Sequence, residues 1–185
     1  PGVFVPRPET EILAEVAIRD LRSRRQSGAA TLLVADLCAG SGALTLSIAT
    51  EVSNVRMTAV ELSEEALPWL RRNVDSCAQL LANVGSEVAV VSGDVASAHL
   101  PSLLDVVVSN PPYIPDGATP LEIEVAHHDP SLALYGGGDG MDIMRVVIER
   151  ATSALKPGGL LAVEHADVQG DGADVGPAAI MRATG

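Results

Sequence analysis

The sequence predicts an α/β protein, built as a doubly wound, mostly parallel sheet with helices on both faces. Three observations predict it. Short apolar runs alternate with helical segments along the chain. The runs are near-continuously apolar, as strands buried on both faces are. Polar residues and glycines gather where the runs end, and open α/β sheets bind ligands beyond those ends.

The elements follow in order. Glu9 to Arg25 reads as an amphipathic helix, with Ile12, Leu13, Val16, Ala17 and Leu21 on one face. Its first turn is acidic and its end carries Arg19, Arg22, Arg24 and Arg25, which complement a helix C-terminus. After a polar break at Gln26-Ser27-Gly28, Leu32 to Leu37 is a buried strand. Gly40-Ser41-Gly42 is a turn and Ala43 to Glu51 a helix. Met57 to Glu61 is a second strand. Ser63 then caps a helix running to about Leu81, in which Pro68 removes one backbone bond. Glu87 to Val91 and Leu103 to Ser109 are the third and fourth strands. Asp139 caps a helix through Leu155, and Lys156-Pro157-Gly158-Gly159 turns into a fifth strand, Leu160 to Glu164. Ala173 to Ala183 reads as a last helix. Trp69, Met57, Met141 and Met144 read as core.

Composition bounds the function. A chain of 185 residues suits one domain with a real core. No apolar run approaches the ~20 residues of a membrane helix, and no secretory signal is present. Cys38 and Cys77 give no disulfide framework, so a cytoplasmic setting is expected. The net charge of −12 and the lack of a basic stripe argue against a general nucleic-acid binder. His127 and His128 are adjacent and His99 and His165 scattered, so no metal site is expected. The chain begins at Pro1 and ends at Gly185 without an evident final strand, as a part of a longer protein would.

Three strand ends read together as a nucleotide site. Asp36-Leu37-Cys38-Ala39-Gly40-Ser41-Gly42 pairs an acid with glycines that let a ligand approach the backbone. Thr45 stands where a dinucleotide loop would place its third glycine. An acid with no pyrophosphate cradle suits the amino-acid portion of S-adenosylmethionine better than NAD. Glu61 can accept both hydroxyls of a ribose; Asp94 can accept from an adenine amine while Val95 packs on the ring. Taken singly, each also reads as an ordinary turn or surface acid. The fourth strand runs into Asn110-Pro111-Pro112-Tyr113, which holds one of the chain's four aromatic residues. Two prolines stiffen this lip, Asn offers donor and acceptor, and Tyr offers a stacking face. It suits a planar, nitrogen-bearing group. The tetrad alone also reads as a strand stopped by prolines.

Together these motifs resemble the class I, Rossmann-like methyltransferases that act on planar amino groups. Phe4-Val5-Pro6-Arg7-Pro8-Glu9-Thr10-Glu11 narrows the match, because it resembles the signature of the release factor glutamine methyltransferases. The stretches from His128 to Gly137, Asp139 to Asp142 and Leu155 to His165 are similar to that family too. The resemblance implies methyl transfer from S-adenosylmethionine, with S-adenosylhomocysteine as product, to the glutamine amide of the Gly-Gly-Gln motif in peptide chain release factors. It implies Asp36, Cys38, Ala39, Gly40, Ser41, Gly42, Glu61, Asp94, Val95 and Asn110 as cofactor contacts. Asn110 to Tyr113 would be catalytic. The Asn110 side-chain oxygen and the Pro111 carbonyl would accept the amide N–H groups; Pro112 would set the loop and Tyr113 flank the amide. Phe4 would close the other side, and Arg7, Glu9 and Thr10 would hold that segment or cap the first helix. No metal, membrane or nucleic acid is implied.

The chain departs from the family in four ways. Cys38 stands where the family usually has Gly, and Val95 where it often has an aromatic. The family's N-terminal helical domain and final hairpin have no counterpart here. Residues 1–28 are expected to lead from that helical domain into a methyltransferase domain at 29–185. Two other readings stay open: a nucleic-acid amino methyltransferase with a flipped base on Tyr113, and an NAD-type nucleotide module.

Overall fold

The computed structural model describes residues 2–118, 129–166, 169 and 176–184. His127, His128 and Ala173 lie outside them. Five strands form one sheet in the order β3-β2-β1-β4-β5. They are β1 (Leu32–Leu37), β2 (Val55–Glu61), β3 (Glu87–Ser92), β4 (Leu104–Ser109) and β5 (Leu155–Val163). Every pairing is parallel, as in β1 on β2 from Leu32↔Val55 to Leu37↔Val60. The doubly wound arrangement is therefore present, with the chain crossing outward on both sides of β1.

The helices are α1 (Pro8–Gln26), α2 (Ala43–Glu51), α3 (Leu67–Ser76), α4 (Ala78–Val84), the single turn α5 (Ser131–Leu134), α6 (Asp142–Ala154) and α7 (Pro177–Thr184). Successive strand residues point to opposite faces, so the sheet feeds two cores. Leu32, Val34, Val106 and Val108 meet Leu13, Ala17, Leu21 of α1 and Ile48 of α2. Ala35, Leu37 and Val107 meet Val147 and Ala151 of α6.

Several boundaries differ from the sequence reading. Ser63 does not cap a long helix. Its Oγ accepts from Ala66 N at 3.2 Å within a turn, and α3 begins four residues later. Pro68 then falls in the first helical turn, where its missing N–H has no partner to lose. The helix also breaks at Cys77, which is the C-cap of α3 and leads into α4. Asp139 likewise caps a turn and not α6: its Oδ1 accepts from Met141 N at 2.9 Å, and Arg145 pairs with it. Leu103 is excluded from β4; it is 62% exposed and left-handed, at φ 61°. Lys156 to Gly159 form no turn before β5 but a bulge inside it, where the register slips between Leu104 and Val106. Trp69 is not core. It is 36% exposed and lies under the Arg72 guanidinium, 5.8 Å from its centroid. Met57, Met141 and Met144 are buried as expected.

The arginines at the end of α1 do more than complement the helix. Arg24 bonds Asp20 and the Gly158 carbonyl, and Arg25 bonds the Ala29, Ala30 and Ser53 carbonyls. Arg22 pairs with Glu51 at 3.1 Å. Among the described residues no helix is long and apolar enough to cross a membrane.

Candidate active site

The carboxyl ends of β1, β2 and β4 open on one cavity of about 1160 Å³. Asp36, Gly40, Glu61 and Asp94 line it, together with Phe4, Asn110 and Tyr113. The strand order makes this juxtaposition, since β1 and β4 are neighbours whose chains leave on opposite sides.

The bend after β1 is built from left-handed residues. Cys38, Gly40 and Gly42 have φ of 68°, 57° and 82°. Glycine occupies that region without strain, whereas an L side chain there costs ~1–2 kcal/mol. Cys38 bears that strain, so Gly would suit this position better on backbone grounds alone. Gly42 lies behind the cavity wall, where a Cβ would overlap Leu70. Glu61 braces the bend. Its Oε2 accepts from Gly40 N and its Oε1 from Ser63 N, each at 2.7 Å. Both of its oxygens therefore hold backbone before any ligand arrives.

Asp36 is buried, and Thr45 Oγ1 donates to its Oδ2 at 2.5 Å. Its Oδ1 is buried without a partner. Burial, opposed by the Thr45 bond and reinforced by Glu61, pushes the Asp36 carboxyl up to about 7. A buried acceptor lacking a partner fits a ligand that brings a cationic donor. Thr45, first noticed as a missing glycine, is the residue that orients this acid. The Cys38 thiol is pushed up to about 12 by burial and by Glu61 and Asp36. Asp94 is exposed and its Oδ1 accepts from Ala96 N at 2.8 Å, while Val95 beside it is buried. The acidic wall thus suits a ligand with positive charge. Among the described residues no three His, Cys, Asp or Glu side chains could hold a metal.

The lip after β4 is held from behind. Pro111 is buried, and Pro112 and Tyr113 face the cavity. The glycine loop 136–140 packs directly on the lip backbone. A Cβ on Gly136 would overlap the Pro112 carbonyl oxygen, and one on Gly140 that of Tyr113. Ile114 N bonds Leu134 O and Gly136 N bonds Ile114 O, both at 2.9 Å, and Gln169 Nε2 bonds Tyr113 O at 3.2 Å.

The leading segment closes the opposite side. Arg7 pairs at 2.8 Å with Asp129, whose side chain is buried, and lies over the Phe4 ring, 5.3 Å from its centroid. Glu9 is exposed at the cavity edge. Thr10 does not cap α1, whose N-cap is Arg7. Its hydroxyl donates instead to Glu164 Oε2 at 2.8 Å and accepts from Asn110 Nδ2 at 3.3 Å. Asp129, Glu164 and Gln169 were absent from the sequence-derived site. Glu164 had a signal, being the polar residue at the end of the fifth strand.

The chain is similar to known methyltransferases. The family model described as methyltransferase small domain matches residues 9–127. The chain is 43% identical over 176 residues to the release factor glutamine methyltransferase of Bifidobacterium longum, covering 92% of this chain and 59% of that protein. It is 40% identical over 171 residues to a 4-amino-L-phenylalanine/4-methylamino-L-phenylalanine methyltransferase of Streptomyces pristinaespiralis, covering 91% and 56%. The chain thus spans a little over half the length of these curated relatives. Its fold is similar to that of an S-adenosylmethionine-dependent methyltransferase from Agrobacterium tumefaciens, with a TM-score of 0.60 at 17% identity, covering 99% of this chain and 51% of that one.

Proposed function

Because the chain belongs to the methyltransferase small domain family, we propose that it methylates the glutamine side-chain amide in the Gly-Gly-Gln motif of peptide chain release factors. S-adenosylmethionine supplies a methyl group on a positively charged sulfur. The observation that carries the reading is the cavity itself, which joins the unpartnered Asp36 oxygen to the Asn110–Tyr113 lip.

On this reading Asp36 Oδ1 takes the cofactor's amino group. Glu61, Asp94 and Val95 bracket its nucleoside, and the backbone from Cys38 to Ser41 lines its middle. An amide nitrogen is a poor nucleophile, because its lone pair is delocalised into the carbonyl. Asn110 Oδ1 and the Pro111 carbonyl accept its two N–H bonds and aim the lone pair along the reaction axis. Tyr113 and Phe4 hold the amide plane between them, and Arg7 and Asp129 hold Phe4. Nitrogen gains the methyl carbon, the carbon–sulfur bond breaks, and one amide proton leaves to solvent. Alignment of this kind is worth up to ~7–11 kcal/mol in favourable systems. The setting is cytoplasmic, where release factors work.

An exocyclic amine of a nucleobase fits less well. Of the arginines that could have formed a basic patch, Arg22, Arg24 and Arg25 are committed to carbonyls and carboxylates, and acids line the cavity. The test is mass spectrometry of a release factor after incubation with the full-length protein and S-adenosylmethionine, with RNA and 4-aminophenylalanine as parallel acceptors. A 14-dalton gain on the Gly-Gly-Gln peptide is expected (about one methylene). Asn110→Ala should lose this turnover and still bind S-adenosylhomocysteine. Methyl transfer only to RNA or to the free amino acid would overturn the assignment.

A further inference from the structure

Three polar side chains from distant parts of the chain form a line beside the lip. Glu164 follows β5, Thr10 lies in the first turn of α1, and Asn110 follows β4. Thr10 Oγ1 donates to Glu164 Oε2 at 2.8 Å, and Asn110 Nδ2 donates to Thr10 Oγ1 at 3.3 Å. Thr10 and Asn110 stand on the cavity wall, whereas Glu164 stands behind them, half-buried.

The direction of these bonds carries information. A hydroxyl has one hydrogen, and an ionised carboxylate only accepts. With that hydrogen committed to Glu164, Thr10 can meet Asn110 only as an acceptor. The NH₂ end of Asn110 must then face Thr10, and the neighbouring Glu164 carboxylate, which can only accept, favours that same end. The two ends of an Asn amide are nearly equal in size, so packing does not distinguish them; bond polarity does.

We propose that Glu164, acting through Thr10, fixes which way round the Asn110 amide sits and so presents its oxygen to the acceptor. This inference rests on the reading that Asn110 Oδ1 receives an N–H of the methylated group. Glu164 is a positioning residue, because it reaches the chemistry only through two other side chains.

The relay has an acid limit. Burial and Glu9 of α1 raise the Glu164 carboxyl, while Thr10, Asn110 and adjacent His165 draw it back down. Once protonated, Glu164 can donate to Thr10. The Thr10 hydrogen is then free to turn toward Asn110, and the preferred orientation of the amide inverts.

The test uses the full-length protein with S-adenosylmethionine and a release factor. Glu164→Gln can donate to Thr10 at nearly unchanged shape. We expect kcat to fall ~10–100-fold, the loss typical of a misaligned reacting group, with the KM for S-adenosylmethionine unchanged and the acid limb of the kcat profile displaced. Thr10→Val should match that loss, Thr10→Ser should recover most of it, and Glu164→Gln with Thr10→Val should be no worse than either alone. Should Glu164→Gln fail to fold, the Val and Ser variants of Thr10 carry the same test. A Glu164→Gln protein, or failing it a Thr10→Val protein, with wild-type kcat and acid limb would overturn the relay if Asn110→Ala is inactive. An active Asn110→Ala would instead overturn the acceptor reading and the relay with it.

Discussion

Replacing Asp36 with Asn should remove a pH-dependent penalty that the burial of this carboxyl places on the fold. The Asp36 carboxyl is raised from 3.8 to about 7. The unfolded chain loses that proton near pH 4, while the folded protein keeps it to about pH 7. Between these values the folded state binds more protons, so stability falls as pH rises through the window. At ~1.4 kcal/mol per tenfold the whole window is worth on the order of 4 kcal/mol, of which ~3 kcal/mol lies between pH 5 and pH 8. The assay is urea denaturation of wild type and Asp36→Asn at both pH values. Any fixed effect of the Asn amide cancels in the difference between the two. Wild type should lose ~3 kcal/mol more than the variant on going from pH 5 to pH 8. A cationic amino group bound at Oδ1 reverses the penalty, so calorimetry of S-adenosylhomocysteine binding near pH 6 should register close to one proton released. It should register almost none at pH 8.5, and none from Asp36→Asn, which should also bind more weakly. Parallel pH slopes for wild type and variant would refute the reasoning.

Further outcomes follow from the same geometry. Gly140→Ala places a Cβ against the Tyr113 carbonyl at φ 76°. It should destabilise by ~2–4 kcal/mol, combining left-handed strain with overpacking; a melt within one degree of wild type would contradict this. The Cys38 thiol, pushed up to about 12, stays protonated at pH 8, so iodoacetamide should leave it unmodified in the folded protein and modify it in urea. Peptide mapping decides. Arg7→Ala frees Phe4 and strands the buried carboxylate of Asp129. It should raise the KM for the release factor several-fold more than that for S-adenosylmethionine, and equal changes in both would argue against the Phe4 role.

Local patterning made part of this legible. β1 and α2 have the boundaries read from the sequence, because an apolar run bounded by Asp36 and the glycines leaves little choice. The acids of the cavity lie at strand ends, so Asp36, Glu61 and Asp94 could be named from residues alone. Long-range geometry hid the rest. The break at Cys77 has no Gly or Pro to announce it, since Gly85 and Pro68 lie elsewhere. The glycines at 136 and 140 looked like a plain loop, because their close neighbours are the carbonyls of Pro112 and Tyr113. Glu164 needs Thr10, 154 positions away, before its side chain has a use. Trp69 shows that a lone large aromatic can sit half in water when an arginine covers it.

The guanidinium contacts at the end of α1 bear on how the polypeptide could be divided. Arg24 and Arg25 rivet the helix to backbone at three separate places: the connections at Ala29–Ala30 and Ser53, and Gly158 within β5. Leu13, Ala17 and Leu21 plug one side of the sheet beneath those rivets. Trimming the chain at residue 28 would strip that wedge from Leu32, Val34, Val106 and Val108 and leave α2, through Ile48, to cover them. The helix therefore serves as a keel for the sheet. The same keel carries Thr10 to Asn110 of the lip after β4, 3.3 Å away.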